Sequence, residues 1–110
     1  AFSHNKIEHL HLPESLKSIE GYAFSDNQIT ELNLPEGVES IEMGAFYENK
    51  IEKLYLPESL KSLGLSSFKS NKLKEVYLPE SIYEFGSKAF DSDVKIKKKS
   101  FFNKIFGKLI

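Results

Sequence analysis

Phenylalanine recurs at an exact 22-residue step, at Phe2, Phe24, Phe46, Phe68 and Phe90, and nothing else restricts the fold of this 110-residue chain so tightly. Pro13, Pro35, Pro57 and Pro79 keep the same step, as do Asn5, Asn27, Asn49 and Asn71, with Asp93 read as the related fifth member of the Asn column. A chain that repeats in this way must bury the same positions in every unit. One 22-residue unit is too small to bury its own apolar side chains, so neighbouring units must stack into a solenoid.

Within a unit, Leu-x-Leu-Pro is a two-residue alternation closed by proline, the pattern of a short strand with a stop. Leu10 and Leu12, Leu32 and Leu34, Leu54 and Leu56, and Val76 and Leu78 are expected to point inward. The Pro-Glu turn reverses the chain, and a second apolar pair follows: Leu16 and Ile19, Val38 and Ile41, Leu60 and Leu63, Ile82 and Phe85. The ring that closes each unit lies on the core side. Stacked units then place their strands in a parallel sheet, four coils over residues 2 to 89. A buried Asn in the turn can bond to the backbone of its own coil and of the next.

These residues resemble the BspA-like class of leucine-rich repeat proteins, whose pattern runs roughly L-x-x-L-x-L-P-x-x-L-x-x-I-G-x-x-A-F. Four consecutive copies carry the resemblance. The chain departs from the pattern where Glu20 and Glu42 stand for the Gly kept at Gly64 and Gly86, and where Asn replaces a frequent Cys. The resemblance implies an α/β-type repeat solenoid, mostly strand and loop. It also implies binding rather than catalysis, at a bacterial cell surface or after secretion, since proteins of this class act in adhesion.

Composition excludes several other classes. With no Cys there is no disulfide framework, thiolate zinc site or Cys nucleophile, and no apolar run reaches the roughly 18 residues of a membrane span. Residues 1–93 hold nine Lys and all sixteen acids, a balance of −7, whereas residues 94–110 hold six Lys and no acid. An acidic body without a single Arg does not suit a nucleic-acid groove. The serines fall at repeat positions such as Ser18, Ser40 and Ser62, which reads as structure, and no phosphate loop or isolated acid pair is present. No catalytic residue, metal or cofactor is expected. His9 and His11, with Glu8 or His4 nearby, could share a metal by type, but they read as outward positions of the first strand. The Asp91-Ser92-Asp93 run lacks the ligands and Gly of a calcium loop.

The outward positions of the strand form two columns. One is His9, Glu31, Lys53, Glu75, with charges that alternate; the other is His11, Asn33, Tyr55, Tyr77. Stacking sets successive members about 4.8 Å apart. Neighbouring tyrosines offer area and a hydroxyl at little rotamer cost, so these eight residues are the candidate partner-binding surface. The expectation is a monomeric interaction or adhesion module for a protein or glycan. The alternative is a structural spacer of a larger surface protein.

The repeat breaks in the tail, where strict register would bury Lys95, Lys98 and Ser100. The solenoid is therefore expected over residues 1–93, followed by a basic amphipathic cap or linker over 94–110. Phe101, Phe102, Ile105, Phe106, Leu109 and Ile110 fall on one side of a helix that Ser100 could cap. That helix is expected over 100–110, covering the last coil, with contact to an anionic membrane or a following domain as the lesser alternatives. Ala1 and Phe2 match the closing step of a unit, so an upstream coil is expected too.

Overall fold

A computed structural model describes residues 2–98. Eight short strands follow one another: β1 Ser18–Ile19, β2 Glu31–Asn33, β3 Ser40–Ile41, β4 Lys53–Tyr55, β5 Ser62–Leu63, β6 Glu75–Leu78, β7 Glu84–Phe85 and β8 Lys95–Lys98. All pairing is parallel. The molecule is a parallel β-solenoid of about four turns, as the repeat requires. Its register is the repeat itself: Leu32 stands beside Leu54 and Ile41 beside Leu63.

Each coil has three sides. On the first lies the Leu-x-Leu strand, which ends in the same turn every time, with the amides of Leu16, Val38, Leu60 and Ile82 donating to the carbonyls of Pro13, Pro35, Pro57 and Pro79. The second side is a four-stranded sheet in the order β1, β3, β5, β7. Sequence alternation does not announce this sheet, because strands of two residues are too short to alternate. The third side carries the Ala-Phe step, where Phe24, Phe46 and Phe68 each donate their amide to the coil that follows.

Packing follows the columns. The five repeating phenylalanines form a continuous stack, with centroids 5.3 to 5.6 Å apart and ring planes within 10° of parallel. Asn27, Asn49 and Asn71 form a second stack beside it. The Oδ1 of Asn49 accepts from the amide of Ile29 at 3.1 Å, while its Nδ2 donates to the carbonyls of Phe24 and Phe46. Asn27 and Asn71 repeat the arrangement. A buried amide is thereby satisfied on both of its atoms and ties each coil to the one before.

Flanking the phenylalanine, two positions per coil take left-handed backbone. Tyr22, Gly44, Ser66 and Lys88 form one such column, and His4, Asp26, Glu48 and Ser70 the other. At Gly64 and Gly86 the preceding coil comes so close that an added Cβ would strike the backbone of Met43 and Leu65 respectively, which accounts for glycine at those two positions.

Four expectations need correction. The first coil has no assigned strand at Leu10 to Leu12, and among the described residues no backbone bond joins that stretch to β2. Leu10 and Leu12 accordingly remain only partly buried, since one of their flanks is uncovered. Phe85 is 44% exposed, since among the described residues its strand β7 is the edge of the second-side sheet. At the end of the Asn column the carboxylate bonds are made by Asp91 and not Asp93, and they go to the amides of Ser70 and Asn71 rather than to Leu73, the counterpart of Ile29 and Ile51.

Pairing also continues beyond Asp93. Strand β8 lies alongside β6 with Glu75 opposite Lys95 and Val76 opposite Ile96, a step of 20 residues in place of 22. Dropping two residues between Phe90 and Ile96 sets Ile96 over Val76 and turns Lys95 and Lys97 outward. Lys95 is thereby moved from a core position to the surface, while Lys98 comes to stand opposite Leu78 and stays exposed. The helix expected over residues 100–110 lies outside the described residues.

Candidate functional site

Strand alternation alone decides what the first side of the solenoid presents. In β2 the pattern is exposed, buried, exposed for Glu31, Leu32 and Asn33, and in β6 Glu75 and Tyr77 are exposed while Val76 and Leu78 are buried. All eight residues of the two columns read from the sequence are exposed. β2 and β4 bring Glu31 beside Lys53 and Asn33 beside Tyr55. β6 pairs with β8 in a separate two-stranded sheet, so the face is built from two paired patches and not one unbroken ladder. His9 and His11 lie outside both.

Tyr55 is 41% and Tyr77 46% exposed, and each has an internal partner. The Tyr55 hydroxyl donates to Glu36 Oε1 at 3.1 Å. That bond, with the nearby charges of Glu36 and Glu58, raises the Tyr55 phenol above the ordinary tyrosine range. Lys97 sits over the Tyr77 ring, 5.6 Å from its centroid, with Nζ 3.3 Å from Glu75 Oε2. The Glu75 carboxylate, through this bond and its charge, holds the Lys97 ammonium to a raised pKa, and Tyr77 adds to it.

Lys97 and Glu36 escape a reading by columns for different reasons. Lys97 reaches Tyr77 only because of the shortened fifth coil. Glu36 belongs to a third outward column, Glu14, Glu36, Glu58 and Glu80, one per Pro-Glu turn, which the 22-residue step does contain. All four are exposed, so a ridge of carboxylates runs beside the tyrosines. Among the described residues no group of three His, Asp or Glu is placed to hold a metal ion. His4 instead pairs with Asp26 at 2.7 Å.

A parallel solenoid with a 22-residue coil, an Asn column and an Ala-Phe step is a leucine-rich repeat fold. The chain belongs to the family described as BspA type leucine rich repeat region (6 copies), whose model matches residues 1–107. It is similar to the crystal structure of a leucine-rich repeat protein from Bacteroides ovatus ATCC 8483, with 27% identity and a TM-score of 0.64 over 80% of this chain. That alignment takes in only 24% of the other chain, so the present chain spans about a quarter of that protein's length. A comparison with curated proteins finds no match. As a repeat domain of this family, the chain is a protein-interaction or structural module.

Proposed function

We propose that the chain is a non-enzymatic interaction module of a cell-surface or secreted protein, acting in adhesion through the face that carries Tyr55 and Tyr77. One observation carries this reading. The first side of the solenoid exposes two aromatic rings amid Glu31, Lys53, Glu75 and Lys97, while the core is fully served by residues pointing the other way. Side chains with no core task are free to serve recognition, and tyrosines are the usual anchors.

The family membership supports a surface location, and no step of catalysis is assigned to any residue. The test is capture of a binding partner by the immobilised chain, compared with Tyr55→Ala, Tyr77→Ala together. Loss of binding by tenfold or more with an unchanged melting temperature is the expected outcome. The spacer reading draws on the internal partners of both tyrosines, Glu36 and Lys97. It is favoured if the immobilised chain captures no partner and the double variant melts several degrees lower; capture as before by the double variant places the binding site elsewhere on the chain.

A further inference from the structure

Because the first coil is not laddered to β2, a groove of about 580 Å³ opens between them on the tyrosine face. Its apolar wall is made of Leu10, Leu12, Leu34 and Pro35. Glu14, Glu31 and the ring of Tyr55 border its polar side, together with His11 and Asn33, and no lysine is among the lining residues. Another large depression is lined by charges of both signs, Lys69, Lys72, Lys74 and Lys88 with Asp91 and Asp93.

A groove with an apolar wall and two carboxylates at its rim matches one kind of side chain in particular, a long aliphatic stem that ends in a cation. Leucine and proline surfaces take up the methylenes, the carboxylates take the charge, and a tyrosine ring adds attraction for a cation over its face. The molecule already holds one cation in this manner. Lys97 rests on the Tyr77 ring with its ammonium beside Glu75; Glu31 and Tyr55 share the columns of Glu75 and Tyr77 but sit on the neighbouring strands β2 and β4, with Lys53 in the place beside Tyr55 that Glu75 holds beside Tyr77. At Lys97 the cation comes from the chain itself; in the groove it would come from outside.

From this geometry we infer that the groove bounded by Leu10, Leu12, Glu14, Glu31 and Tyr55 takes a lysine or arginine side chain of a protein partner. The inference rests on the interaction reading above and narrows its partner to a basic polypeptide segment, in preference to a glycan.

The experiment uses the whole chain, isotope-labelled, titrated with a capped Gly-Lys-Gly-Lys-Gly peptide at low salt and followed by amide chemical shifts. Saturable shifts should gather at Leu10 to Glu14, Glu31 to Asn33 and Tyr55. Glu14→Gln with Glu31→Gln should weaken binding about tenfold, and acetylation of the peptide lysines should abolish it. Equal binding by the double variant or by the acetylated peptide overturns the proposal. So does a shift pattern centred on the Glu36, Glu58 and Glu80 ridge, or a neutral oligosaccharide that fills the groove where the peptide does not. Any of these leaves the interaction reading standing if Tyr55→Ala, Tyr77→Ala still costs the partner.

Discussion

Asn49 Nδ2 donates to the carbonyl oxygen of Phe24, 25 residues earlier, at 2.9 Å, and so binds the side chain of one coil to the backbone of the previous one. The same amide also holds the Ile29 N–H and the Phe46 carbonyl. Asn49→Ala would strand the buried Ile29 N–H, while the Phe24 and Phe46 carbonyls keep the Nδ2 donors of Asn27 and Asn71, so the expected loss is about 1 to 3 kcal/mol. Urea denaturation measures it. Asn5→Ala should cost much less, since Asn5 is exposed and among the described residues its Nδ2 reaches Phe2 and Ser3 of its own coil.

Leu32 and Leu54 occupy one column and differ in burial, Leu32 fully and Leu54 partly. Truncation leaves a cavity whose cost grows with the completeness of packing around it. Leu32→Ala is expected to lose about 3 to 5 kcal/mol, and Leu54→Ala to sit at or below the low end of the roughly 2 to 5 kcal/mol range for such changes. Equal losses would show that the two positions are packed alike.

Ser67 stands in the column of Ala23, Ala45 and Ala89, fully buried, and its hydroxyl has no hydrogen-bond partner among the described residues. A buried hydroxyl left unbonded costs about 1 to 3 kcal/mol. Restoring alanine at this position should therefore stabilise the protein by about 1 kcal/mol, seen as a rise of several degrees in melting temperature. No change on Ser67→Ala would mean that the hydroxyl is satisfied in solution.

Tyr55 is expected to titrate above the ordinary phenol, chiefly because its hydroxyl donates to Glu36. Glu36→Ala should bring the ultraviolet phenolate transition down toward the ordinary value. The folded pKa lies above the unfolded one, so the bond's contribution to stability is complete below about pH 10 and is lost as pH rises through the folded value. On so exposed a residue this contribution is small. A transition unmoved by Glu36→Ala would remove Glu36 as its cause.

How much of this could be read in advance depended on whether a residue's environment repeats. The 22-residue step determined the coil, the inward columns, the phenylalanine and asparagine stacks and the outward Glu31, Tyr55 and Tyr77, because an identical unit stacked on itself must solve the same burial problem each time. The tertiary structure alone decided what happens where units stop being identical. Leu10, Leu12 and Phe85 lie at the outer coils of the described residues, and burial belongs to the neighbours as much as to the residue. The 20-residue register of β8, and with it Lys97 on Tyr77, matches Ile96 to Val76 and turns Lys95 outward at the loss of two residues from one coil, although Lys98 still falls opposite Leu78. The groove beside β2 has the same origin: local alternation makes strands of Leu10 to Leu12 and of β2 alike, and only the hydrogen bonds between coils tell them apart.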